Sequence, residues 1–234
     1  MWETTVQNLL NAGSSGYGQS FINIDNDLPD VEMIKKLKEN IYRFAGFKTH
    51  NHLVALNKLL IGDNGQMVPY NEFRKKAQEY RQKALKVNDL YNEAHLYTEY
   101  QTALIQSQHA AEWQRFEADK DIFPYLKFNK TPNEYDRHKK YDGLVFAIDD
   151  PILDALSPQL DWGCECYLTQ EEKKPKRQQV PEVNDVPAEF ASNVGKTGEA
   201  FNEKHNYFKV EKGAKTTIEK NLNTFITDFE KRKK

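Results

Sequence analysis

A chain of 234 residues that is 38% hydrophobic and 12% aromatic can bury a real core and is too aromatic to be disordered throughout. Its net charge of -2 excludes a general attraction to nucleic acid, so contact with DNA needs a local basic patch. No apolar run approaches the roughly 20 residues of a bilayer span, and Met1-Trp2-Glu3-Thr4-Thr5 lacks the basic and apolar blocks of a signal peptide.

In chain order, residues 1–30 hold a short apolar stretch and the cluster Gly13-Ser14-Ser15-Gly16-Tyr17-Gly18. With no buried strand before it and no helix directly after it, the cluster is not a phosphate-binding loop, and a flexible lead-in is expected. Residues 31–89 form a helical region. Asp30 is placed to cap a helix to about residue 45, with Ile34, Leu37, Ile41 and Phe44 at helical spacing and Gly46 as the interruption. A second helix carries Leu53, Leu56, Leu59 and Leu60 and stops at Gly62-Asp63-Asn64-Gly65. Pro69 opens a third, with Phe73, Ala77, Tyr80, Ala84 and Val87 in one stripe. Asn88 or Asp89 then caps a long helix to about Ala118, carrying Leu90, Ala94, Tyr97, Leu104, Ala111 and Trp113.

After Asp119 the period changes. Tyr125-Leu126-Lys127-Phe128 alternates like a half-buried strand, and Gly143 to Ile148 reads as a more buried one. Asp150 caps a short helix with Pro151 in its first turn, and Trp162 to Leu168 is the third strand candidate. The class is therefore α+β, a helical N-terminal half packed with a small sheet-containing domain at 90–170. Residues 171–190, charged and proline-bearing, read as a linker or exposed extension. A C-terminal extension, 191–234, holds an aromatic piece from Phe201 to Phe208 and a helix from Ala214 to about Phe229.

Few constellations carry chemistry. Gly195-Lys196-Thr197 imitates the end of a P-loop, but Phe190 stands where that loop needs a glycine, so no nucleotide site is expected. None of the six histidines sits in a zinc-protease pattern, and there is no nucleophile elbow. Cys164 and Cys166 are the only cysteines and too close to form an unstrained disulfide, which suits a reducing cytoplasm. Alternate strand residues face one side, so both sulfurs can meet one soft metal ion, with His138 as a third ligand and no fourth evident. Burial as small hydrophobes is the preferred reading, with no cofactor, and a structural zinc is the alternative.

The ordered elements of the middle segment resemble those of the Mu protein F-like family of phage minor head proteins. They begin with Tyr97-Thr98-Glu99-Tyr100, the alanines Ala103, Ala110 and Ala111, and Trp113. Pro124-Tyr125-Leu126-Lys127-Phe128 and His138-Lys139-Lys140-Tyr141-Asp142-Gly143 follow. Asp149-Asp150-Pro151, Pro158 and Trp162-Gly163-Cys164-Glu165-Cys166 complete the set. The chain departs from the family where Tyr135 replaces an arginine three residues before the histidine, where Glu165 replaces an arginine between the cysteines, and where Pro158 stands alone.

The resemblance implies a structural minor head protein of a tailed phage or prophage, not an enzyme, in the virion head and in the host cytoplasm during assembly. Expected partners are the portal protein and other capsid components, with non-specific DNA contact and no membrane. It carries over no catalytic residue. It makes Glu99, His138, Asp142, Gly143, Asp150, Trp162, Cys164 and Cys166 a structural signature, with Trp162 as a core anchor and His138 holding a loop. Two other classes remain in view. An effector-associated enzyme domain needs a polar cluster in a cleft, and His138, Cys164 and Cys166 are its only candidates. A DNA-binding module would use Lys35, Lys36, Lys38 and the C-terminal lysines.

Overall fold

The structure, a computed structural model, describes residues 1–84, 93–132 and 136–233. Helices α1 (Trp2–Tyr17), α2 (Val31–Lys58), α3 (Tyr70–Ala84) and α4 (Glu93–Ala118) precede a sheet of β1 (Tyr125–Asn129), β2 (Val145–Ala147) and β3 (Tyr167–Glu171). The short α5 (Val194–Thr197) and the long α6 (Ala214–Lys233) close the chain. This is the α+β architecture expected. The proposed cap at Asn88 or Asp89, and Val87 of the third helical stripe, lie outside the described residues.

The N-terminal region is not a flexible lead-in. Trp2, Val6, Leu9, Leu10, Gly13 and Tyr17 recur at helical spacing and are all buried, and α1 packs most extensively on α4. The glycine cluster misled because its residues are chosen by tertiary contact. A Cβ on Gly16 would lie 1.9 Å from the carbonyl oxygen of Leu104, so only glycine lets the two helices approach this closely. The helix ends at Gly18, which is left-handed and donates its N–H to Ser14 O.

Gly46 does not interrupt α2, which runs unbroken for 28 residues. Its missing side chain makes room for Leu222 of α6, whose nearest methyl would sit 3.1 Å from a Cβ there. Asp30 precedes the helix without a side-chain capping bond, because its carboxylate instead accepts from the Tyr17 hydroxyl at 2.6 Å. The turn after Leu60 forms as expected, with Gly65 at φ 74 and a bridge between Ile61 and Met67. Pro69 stands just before α3, its carbonyl accepting from Phe73 N.

Two cores result. The larger joins α1, α2, α4 and α6 with the C-terminal segment: Phe44 stacks on Phe201 at 3.8 Å, and Asn40 brackets the Phe201 backbone with two bonds of 2.9 Å. The smaller lies under the antiparallel sheet, whose order is β2-β1-β3. There β1 is central, with Leu126 opposite Phe146 and Phe128 opposite Leu168. Helix α4 serves both cores, giving Ala103 and Ala110 to the first and Trp113 to the second.

The segment after β3 has no regular element but is not merely an exposed extension. The Gln178 amide accepts from Val145 N at 2.9 Å and donates to Val145 O, replacing the ladder partner that edge strand β2 lacks. Val183 and Val186 pack on the sheet core, and Asp185 accepts from the Tyr141 hydroxyl. Gly195-Lys196-Thr197 forms α5, capped by Asn193, and packs against Trp113, whose Cβ would be 2.1 Å from a Cβ on Gly195. Lys196 pairs with Asp154 at 2.6 Å. The P-loop imitation is thus a packing and ion-pair element.

Candidate functional site

His138 enters the small core from a 3₁₀ helix, Asp136–Tyr141. That helix has three residues per turn, so His138 and Tyr141 share a face and both are buried, while the lysines between them are exposed. The loop is closed behind them. Lys130 N donates to the Asp142 carboxylate at 2.9 Å, and Gly143, at φ 78, turns the chain so that its N–H reaches Phe128 O.

The cysteines come from the opposite side. A turn at Asp161–Gly163, with Gly163 at φ 71 and Cys164 N donating to Asp161 O at 3.1 Å, aims the chain toward β3. The ladder begins only at Tyr167, so the strand expected from Trp162 starts later, yet the alternation already holds: Cys164, Cys166 and Leu168 are buried while Glu165 and Tyr167 are exposed. Both sulfurs lie 3.7 Å from His138 Nδ1. All three residues are at most 1% exposed. Outside them, Arg137 pairs with Asp161, and its Nε approaches His138 Nε2 at 3.5 Å.

The remaining signature residues are spread over the fold. Asp150 caps its short helix by accepting from Ile152 N at 3.0 Å, as expected. Trp162 is only half-buried and is not a core anchor. It bridges instead, edge-on to Phe190 at 4.9 Å and to His205 at 5.6 Å, tying the cysteine corner to the C-terminal segment. The buried tryptophan of the small core is Trp113. Tyr135, one of the departures, lies outside the described residues.

Glu99 faces the large core, far in sequence from its partner. It pairs with Lys48 of α2 at 2.5 Å and accepts from the Tyr207 hydroxyl at 3.3 Å. Neither Lys48 nor Tyr207 was singled out from the sequence. The signal was present for Lys48, which follows Phe44 by one helical turn on the apolar stripe of α2, where a lysine implies a buried partner. This pair borders a cleft of about 660 Å³ between α1, α2 and α4, also lined by His52, Leu56 and Tyr97. His138, Cys164 and Cys166 do not line it.

Residues 71–169 match the family model described as Phage Mu protein F like protein. Over that segment the chain is similar to the Mu protein F-like family. The segment runs from α3 through the long α4 to β3, and so contains Glu99, the 3₁₀ helix with His138, the Asp150 cap and both cysteines. The Mu F-like family is a phage structural family of head morphogenesis. No curated protein and no solved structure matches the chain significantly. Among the described residues no helix is long and apolar enough to cross a membrane.

Proposed function

We propose that this Mu F-like protein is a minor structural component of a tailed-phage or prophage head that associates with the portal and inner capsid during assembly. It acts by presenting a surface, not by turnover. The observation that carries this reading is where the signature residues point. His138, Cys164 and Cys166 face packed interior and Glu99 is buried in its pair with Lys48 at the edge of the cleft, so the matched segment uses them to hold a shape. An enzyme that used the Cys/His set would need it open to substrate, and it is enclosed.

Non-specific contact with DNA in the head is the weaker part of the proposal. Of the lysines expected to form a basic face, Lys38 is buried against Glu230 at 2.7 Å and Lys35 pairs with Glu32 at 2.9 Å, which leaves Lys36, Lys231 and Lys233 among the described residues, with Lys234 outside them. Arg232 pairs with Glu3.

Co-expression with the portal protein encoded in the same phage or prophage genome tests the main reading. Stable co-elution on size exclusion and recovery of a few copies per assembled head are expected. Absence from heads, together with no complex with the portal, would sink it. Retention on DNA at low salt that falls steeply as salt is added would support the DNA contact; no binding at low salt would remove it.

A further inference from the structure

We propose that His138, Cys164 and Cys166 form a binding site for one zinc ion, pinning the 3₁₀ helix to the chain entering β3. The proposal concerns the build of the domain and does not depend on the head-assembly reading.

The spacing of the donors supports it. A tetrahedral zinc has Zn–S near 2.3 Å and Zn–N near 2.0–2.1 Å, which sets neighbouring donor atoms about 3.5–3.8 Å apart. His138 Nδ1 is 3.7 Å from Cys164 Sγ and 3.7 Å from Cys166 Sγ. The three donor atoms all lie within 4.8 Å of one another. A single Nδ1 proton points at one acceptor, whereas a nitrogen equally distant from two sulfurs faces a point between them. An ion at that point touches all three.

Charge supports it as well. Cys164 and Cys166 belong to the small core, together with Leu126, Phe128, Leu153, Leu156 and Leu160, and His138 is buried beside them. One isolated thiolate there would be costly, but two thiolates, a neutral imidazole and Zn²⁺ sum to zero. Binding releases the two thiol protons to water and forms two Zn–S bonds and one Zn–N bond. These donors fill three of four tetrahedral positions among the described residues. The soft sulfur pair selects zinc over calcium or magnesium.

The local backbone is built for this arrangement. The cysteines precede the first ladder pair of β3, and His138 sits in a 3₁₀ helix between β1 and β2, so both segments lie outside the paired residues of the sheet. Gly163 aims one, and the Asp142 bond to Lys130 N closes the other. A metal would give these two segments the direct cross-link that the ladder does not.

The test uses the full chain purified from zinc-supplemented medium without chelator. Elemental analysis should give about one zinc per chain, and Co²⁺ exchanged into the site should show thiolate-to-cobalt charge-transfer absorption. Removing the metal should lower the melting temperature by roughly 5 °C or more, and adding zinc back should restore it. Cys164→Ser and Cys166→Ser should each abolish the cobalt spectrum. The wild-type readings decide first, since they do not depend on the variants folding. Metal-free protein that takes up no cobalt and melts identically with and without added zinc overturns the site. So does a folded Cys164→Ser/Cys166→Ser variant that keeps its zinc.

Discussion

Lys48 Nζ lies 2.5 Å from Glu99 Oε2, and both side chains are almost fully buried, at 2% and 6% exposure. The pair joins α2 to α4, and the Tyr207 hydroxyl donates to the other Glu99 oxygen, so one carboxylate gathers two helices and the C-terminal segment. Removing either charge leaves the other buried without its counter-ion, which costs about 3–5 kcal/mol. Lys48→Met and Glu99→Leu should therefore each lower the unfolding free energy by that order. The double variant Lys48→Met/Glu99→Leu should recover a good part of the loss, because an apolar pair carries no desolvation cost. Urea titrations of the three variants provide the comparison, and a loss in the double variant equal to the sum of the two single losses would show that the pair is not coupled.

The docking of α1 depends on the absence of a side chain at position 16. Gly16→Ala would place a Cβ 1.9 Å from the Leu104 carbonyl oxygen, so α1 or α4 must shift. A loss of about 2–4 kcal/mol is expected. An alanine at Gly18 meets nothing within 4 Å, but takes a positive φ of 82, and should cost less, about 1 kcal/mol. Thermal unfolding of both variants separates the two effects. If Gly16→Ala is as stable as wild type, the helices are not in this contact.

His205 gives the stability a pH dependence of known sign. Burial, then the charges of Lys48 and Lys209, push its pKa down to about 4. Its ring is already used neutral, with Nδ1 accepting from Tyr207 N at 3.1 Å. In the unfolded chain it titrates near 6.5, so between that value and about 4 the unfolded state binds the extra proton. Its contribution is complete above about 6.5, falls as pH drops through that window, and levels off below about 4. The total is on the order of 3 kcal/mol at most. Unfolding free energies measured across this range should fall less steeply for His205→Asn than for wild type. Parallel curves would rule out the buried neutral state.

Much of the outline is legible in residue order. Leu126 and Phe128 alternate because β1 has one buried face, and Asp150-Pro151 announces its 3₁₀ helix because a cap and a fixed φ act locally. The stripe Ile34, Leu37, Ile41, Phe44 is equally local, since a helix repeats its own period. Gly16, Gly46 and Gly195 were misleading or silent for the opposite reason. Each is small because another element passes close by, at Leu104, Leu222 and Trp113, and no local pattern encodes a neighbour so distant in sequence.

The same division applies to the candidate site. Sequence alone determined the α+β class, the placing of Cys164 and Cys166 on one side of an extended segment, and the family likeness of the middle segment. Alternation and order along the chain suffice for those. Only the tertiary structure decided that both sulfurs meet His138 Nδ1, that Trp162 bridges to His205 instead of anchoring the core, and that Lys48 is the partner of Glu99. Those contacts join residues 26 to 51 positions apart in the chain, and they form because burying each polar or reactive group requires a specific partner across the core.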